Sequence, residues 1–193
     1  MRYILILVIV SFDLSIAIAG DASLDSLIDE IIISLKKDYN IEQSGTGKVD
    51  VLEFSSAIFR KNPSLVKSEE YCFKSKKFGN AVNIGKYYKR IGFGVYDFEN
   101  PEIIKVTMNS FLEGHEVNPV KFFKEGKHPA LSPPFLILIK NTTLLFFYAK
   151  CEDIPKKKEW DKITDIYIKI FKKRLTDGEI IRCYCSGPVF IVK

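Results

Sequence analysis

The sequence predicts an α/β domain of three layers: a mixed central sheet between helices, with a short β extension at the C-terminus. Three observations lead there. Helical and strand periodicities follow the order helix, strand, helix, strand, helix, hairpin, helix. The strands at Val49–Phe54 and Arg90–Phe98 are separated by enough chain for the crossover helix that a parallel pair requires. Phe135–Ile139 and Thr143–Ala149 are almost wholly apolar and flank Lys140-Asn141-Thr142, the pattern of a hairpin buried on both faces.

Taken in order, residues 22–38 read as an amphipathic helix. Leu24, Leu27, Ile28, Ile31 and Leu35 recur at three and four residues, with Asp25 and Asp29 early and Lys36 and Lys37 late, as the helix dipole favours. Asn40–Lys48 is polar and reads as a loop before the strand Val49–Phe54. A helical segment follows, interrupted at Asn62-Pro63 and resuming from Ser64 to Ser75. Lys76–Lys86 is basic, holds Gly79 and Gly85, and reads as a loop.

Arg90–Phe98 alternates as a strand. Asn100-Pro101-Glu102 then opens a helix with an N-cap, a proline in the first turn and an early carboxylate. Ile103, Ile104, Thr107, Met108, Phe111 and Leu112 form its inner face, and Gly114 ends it. His115–Pro133 is an irregular insertion. After the hairpin, Lys156–Leu175 is a helix with Trp160, Ile163, Tyr167, Ile170 and Phe171 on one stripe. Asp177-Gly178 turns the chain into Glu179–Cys185, and Gly187-Pro188 precedes a last strand, Val189–Val192.

The N-terminus has the form of a secretory signal. Arg2 is followed by an apolar run from Tyr3 to Phe12, and Ala17-Ile18-Ala19 presents small residues for a signal peptidase. Asp13 interrupts the run well short of the roughly 20 residues a membrane span needs. Residues 1–19 are therefore expected to be cleaved, leaving 20–193 as a single domain with residues 175–193 as its β extension. Arg2 and Asp13 cancel, so the mature chain keeps the net charge of +5. That charge suits anionic surfaces or acidic partners and is too diffuse to indicate nucleic acid. The expected location is the secretory pathway: outside the cell, the endoplasmic reticulum lumen, or a periplasm.

Several motifs fail on inspection. Ser44-Gly45-Thr46-Gly47-Lys48 lacks both the upstream glycine and the following Ser or Thr of a phosphate loop. Gly92-Phe93-Gly94 lies within a strand and lacks a third glycine, which points to close backbone packing. The two histidines, His115 and His128, have no ligand spacing, so neither metal nor cofactor is expected. Asp97 and Glu99 are ordinary at a strand end. Asn141-Thr142-Thr143 is a glycosylation sequon at a hairpin tip, relevant in a eukaryotic source.

The four cysteines, Cys72, Cys151, Cys183 and Cys185, all fall in the mature chain and allow three pairings. Cys183 and Cys185 would share one strand face, which favours separate partners. Two structural bonds tying the C-terminal strand to Cys72 and Cys151 are expected. The alternative is a strained, easily reduced Cys183-Tyr184-Cys185 exchange pair, which would make the chain a thiol–disulfide oxidoreductase.

Pro134-Phe135-Leu136-Ile137-Leu138-Ile139-Lys140-Asn141 resembles the cis-proline, hydrophobic strand and Lys-Asn turn of thioredoxin-like domains. Arg90–Asp97 is similar to the strand that ends in Val-Asp in protein disulfide isomerase-like domains. A second alignment places the proline at Pro119. The alignment at Pro134 is preferred because a buried hairpin follows it directly. Reading on from Phe54 there, Phe59 and Asn62 stand where the family carries its reactive Cys-x-x-Cys, so the resemblance implies a redox-inactive domain. It also implies protein or peptide binding at Pro133, Pro134 and Phe135, beside a free strand edge; alternatively the two prolines only launch a strand. The leading expectation is a secreted or lumenal protein-binding or folding-accessory domain. The oxidoreductase and a secreted interaction or immunity-type protein of unrelated α/β fold are the alternatives.

Overall fold

A computed structural model describes residues 22–46, 56–81, 85–114, 133–154, 156–175, 177–185, 187 and 189–192. The expected signal sequence, the strand expected at 49–54, Pro119 and both histidines lie outside these residues.

Four helices and seven strands are described. They are α1 (Ala22–Asp38), β1 (Tyr39–Gly45), α2 (Ala57–Arg60), β2 (Leu65–Ala81), β3 (Gly85–Phe98) and α3 (Pro101–Gly114). The chain continues through β4 (Phe135–Lys140), β5 (Thr143–Ala149), α4 (Lys157–Arg174), β6 (Glu179–Cys183) and β7 (Val189–Ile191). The strands form one sheet in the order β1-β2-β3-β5-β4-β6-β7, and every neighbouring pair is antiparallel.

This corrects the expected fold class. A thioredoxin-like mixed sheet needs a parallel crossover. Here the segment read as a second helix, Ser64–Ser75, lies in a 17-residue strand that pairs antiparallel with β3 from Leu65↔Phe98 to Ala81↔Gly85. Asn62-Pro63-Ser64 carries a helix-start signal, but Tyr71 and Phe73 alternate with Glu70 and Cys72 in the two-residue period of a strand. Tyr71 and Phe73 pack toward one face, with Phe93 beside Tyr71 at a ring-centroid distance of 6.0 Å. The loop expected at Asn40–Lys48 is instead largely β1, an exposed edge strand. Its polar sequence, YNIEQSG, reflects that exposure.

Helices cover both faces of the sheet. On one, α1 and α4 pack Leu27, Ile31, Trp160, Tyr167 and Phe171 against Phe73, Phe93, Leu136, Leu138 and Phe147. Arg174 fastens the two helices, donating to Glu30 Oε2 at 2.6 Å and to Ser26 Oγ at 3.0 Å. On the other face, α2 and α3 pack Phe59, Ile104, Met108 and Phe111 against Tyr96, Phe135, Ile137 and Phe146. Asn100 caps α3 by accepting the Ile103 N–H at 3.2 Å, as its sequence led one to expect. Arg182 on β6 grips α4 through Asp161 and Asp165, both at 2.6 Å.

The hairpin β4–β5 forms with the expected turn, and Asn141 at its tip takes the left-handed conformation (φ 52°) that Asn tolerates. Beyond Ser75 and before Ile91, β2 and β3 have no partner strand but each other among the described residues. They run on as a two-stranded arm at one end of the sheet. At the opposite end, where β2 begins and β3 finishes, the N-terminal half of α1 and the β4–β5 turn enclose a groove.

Candidate functional site

That groove has a volume of about 850 Å³ and draws its lining from four separate parts of the chain. Its floor is apolar. Leu24, Val95 and Phe98 belong to the two cores, and Ile28 and Ile32 form a wall along α1. Leu24, Ile28 and Ile32 share one helical stripe at four-residue spacing, so Asp25 and Asp29, one position on, rise beside it. Lys67, Glu69 and Tyr71 come from β2 with side chains on one face, because strand residues two apart point the same way. Asp97 and Glu99 come from the end of β3, and Asn141, Thr142 and Thr143 from the hairpin turn.

Asp25, Asp29, Glu69, Asp97 and Glu99 thus surround the groove, against Lys67 as the single cation among the described residues lining it. Two of the carboxylates are held in place. Thr143 Oγ1 donates to Asp97 Oδ1 at 2.6 Å, across the register pair Asp97↔Thr143, and Tyr71 OH donates to Glu69 Oε1 at 2.5 Å. Burial, reinforced by that Glu69 carboxylate, raises the Tyr71 phenol far above its usual range, so it stays a donor. Asp25, Asp29 and Glu99 make no ion pair among the described residues. Among those residues no group of His, Cys, Asp and Glu is arranged to hold a metal ion.

Of the site residues expected from the sequence, Asn141 of the sequon lines this groove, and the others lie elsewhere. Phe135 is buried, and β4 is an interior strand paired with β5 and β6 on its two sides. Pro134 is also buried; its carbonyl accepts the Ala149 N–H at 3.1 Å, and no peptide bond among the described residues is cis. Pro133-Pro134 launches a central strand and borders no free strand edge. Phe59 is a core residue whose ring lies 5.2 Å from Tyr96 and 5.1 Å from Phe111. Asn62 donates to Thr107 Oγ1 at 2.7 Å and accepts the Ser64 N–H, closing the turn after α2.

Of the two expected disulfides, one exists: Cys151 and Cys185 are bonded, with Cα atoms 5.3 Å apart. The other is ruled out by register. Cys72 stands opposite Gly92, Gly92 opposite Tyr148, Tyr148 opposite Phe135, and Phe135 opposite Cys183. Four strand spacings of about 4.8 Å put the two cysteines roughly 19 Å apart on one face, far beyond bonding reach. Cys72 donates to Glu42 Oε2 at 3.8 Å. Cys183 is fully buried, and burial pushes its thiol up to about 12. With Cys185 committed to Cys151, the Cys183-Tyr184-Cys185 exchange pair is not formed.

One polar cluster went unseen in the sequence. Glu70 is buried on the face covered by α2. Its Oε1 accepts from Tyr96 OH at 2.6 Å and lies 3.3 Å from Arg60 Nε, while its Oε2 has no hydrogen-bond partner. Tyr96 reaches it by lying over Gly94, where a Cβ would meet Tyr96 Cε2 at 2.6 Å, so Gly94 is fixed by close approach. Burial and the Glu70 carboxyl together drive the Tyr96 phenol well above its ordinary range. Arg60 also donates to Ser56 Oγ, the N-cap of its own helix, at 3.1 Å, and its ion pair with Glu70 ties the short helix α2 to the sheet. The sequence signal was the Gly92/Gly94 pair preceding a tyrosine in the same strand.

No family model matches the chain, and no curated protein or solved structure matches it.

Proposed function

We propose that the chain is an exported binding protein, without redox chemistry of its own, that seats a basic and partly apolar peptide segment in the acidic groove. The observation that carries this is the charge inversion. A chain of net charge +5 gathers five carboxylates and one lysine around an apolar floor. A shaped apolar hollow with a few convergent polar groups is the usual form of a ligand site. Carboxylates on its walls select cations and repel acidic competitors.

Export rests on the apolar N-terminus ending in Ala17-Ile18-Ala19, and the Cys151–Cys185 bond is consistent with an oxidising compartment. Among the described residues no helix is long and apolar enough to cross a membrane. The burial of Cys183 and the engagement of Cys185 support a binding role over thiol exchange.

Calorimetric titration with two synthetic peptides of equal length, one of leucine and lysine and one of leucine and glutamate, tests the proposal. The lysine peptide binds, and added salt weakens it. Asp25→Asn with Asp29→Asn lowers its affinity about tenfold, as expected for two partly exposed charges. Equal binding of both peptides, or an unchanged affinity in the double variant, refutes it.

A further inference from the structure

The opposite end of the molecule has the reverse electrostatic character. Between Tyr71 and Tyr96 the sequence carries Lys74, Lys76, Lys77, Lys86, Lys89 and Arg90 and no Asp or Glu. That stretch builds the β2–β3 arm. On the arm Phe78 stacks on Tyr88, its register partner, with ring centroids 4.4 Å apart, and remains 57% exposed. Lys74 lies over the Tyr88 ring at 4.6 Å.

At the base of the arm is a hollow of about 300 Å³, lined by Lys37, Lys76, Lys77 and Lys89 with Ser75 and Phe78. Lys76 Nζ donates to the carbonyls of Lys36 and Lys37, at 2.7 and 3.0 Å, which fixes the ammonium without neutralising it. Acids do stand nearby. Asp38 borders the hollow, Glu159 pairs with Lys89, and Glu42 takes up Arg90 and Lys74. Lys37 and Lys77 make no ion pair among the described residues, so the hollow keeps a positive excess beside an exposed aromatic ring.

We infer that the β2–β3 arm is a docking element for an anionic lipid surface, with lipid phosphates entering the lysine-lined hollow and Phe78 entering the headgroup region. Lysines alone would fit any polyanion. The exposed Phe78 decides among them, because a lipid interface accepts an aromatic ring next to cations, whereas a sulfated polysaccharide offers it no apolar phase. Docked this way, the molecule turns its acidic groove toward solvent. The groove and the lysine-lined hollow lie toward opposite ends of β3, where Asp97 and Lys89 are eight residues, or roughly 27 Å, apart along the strand. The arm's role therefore stands independently of what the groove binds.

Co-sedimentation with vesicles tests it, comparing phosphatidylcholine alone with a roughly four-to-one mixture of phosphatidylcholine and phosphatidylserine. The protein pellets with the mixed vesicles only, and less at high salt. Lys37→Gln with Lys77→Gln lowers partitioning about thirtyfold, near fivefold per lysine. Phe78→Ser lowers it several-fold without altering the salt dependence. Far-UV circular dichroism and retained groove-peptide titration establish that the variants are folded. Binding equally to neutral vesicles, capture only on sulfated polysaccharide, or partitioning untouched by both variants would overturn the inference.

Discussion

The buried pair Glu70–Tyr96 gives the sharpest test of how this sheet holds α2. Glu70 has one served oxygen, Oε1, reached by Tyr96 OH at 2.6 Å and Arg60 Nε at 3.3 Å, and a second with no partner. Tyr96→Phe removes the shorter contact without opening a cavity and leaves the carboxyl nearly stripped. A hydrogen bond to a charged group, withdrawn so that a buried polar atom is stranded, costs about 2–3 kcal/mol. Glu70→Met takes away the phenol's buried acceptor and loosens Arg60, at a similar cost of about 2–3 kcal/mol. Removing both partners strands neither, so the double variant should cost less than the sum by about 2 kcal/mol. Urea unfolding monitored by the single tryptophan, Trp160, measures all four corners of the cycle. With an m-value of about 2 kcal/mol/M, each single variant moves the midpoint by roughly 1 M. Additivity within about 0.5 kcal/mol would show that the two groups do not depend on each other, and the account of α2's anchorage would fail.

Four further outcomes rest on the same structure. Cys151→Ser with Cys185→Ser opens a loop of sequence separation 34 and should cost about 4 kcal/mol by chain entropy; a urea midpoint unchanged by reductant in the parent protein would contradict this. Gly94→Ala forces the Tyr96 ring off Glu70, lowering stability by about 2–3 kcal/mol, and an unchanged melting temperature would show that the close approach is not tight. Burial raises the Asp153 carboxyl to about 6, so the native state holds that proton more tightly than the unfolded chain does. Its contribution is fully present below about pH 4 and is lost as pH rises to about 6, a fall in unfolding free energy that Asp153→Asn should abolish in pH-dependent unfolding. Glu42 acts in the opposite sense: Arg90 and Lys74 hold it down to about 2, so its contribution is lost only as pH falls from the ordinary carboxylate range toward that value.

The separation of charge along β3 gives the molecule a direction. Its groove end carries the carboxylates of α1, β2 and β3, and its arm end carries the lysines of one hairpin. A protein that attaches by the arm and captures by the groove would use both ends at once. The two titrations described above separate these roles, because neither set of substitutions touches the other end.

By itself the sequence determined those elements whose signal is local. The stripe in α1, the Asn100-Pro101 start of α3, the Trp160–Phe171 stripe of α4, the alternation of β3 and the apolar β4–β5 hairpin all needed only neighbours within one or two turns. Each formed where its period put it, except that β3 starts five residues early at Gly85, in the stretch Lys76–Lys86 read as a loop. Tertiary structure decided the remainder. The segment 64–75 carries a helix-start signal yet is a strand, because β3 offers its backbone a ladder of partners that no local propensity records. Antiparallel pairing put β2 and β3 side by side where a parallel crossover was expected, and the strand order made β4 an interior strand, removing the edge expected at Pro134. Register alone separated Cys72 from Cys183 and left Cys151 to bond Cys185. The groove is non-local in the same way: Asp25, Glu69, Asp97 and Thr143 are distant in the chain, and their carboxylates and hydroxyl converge only because four elements end at one edge of a sheet.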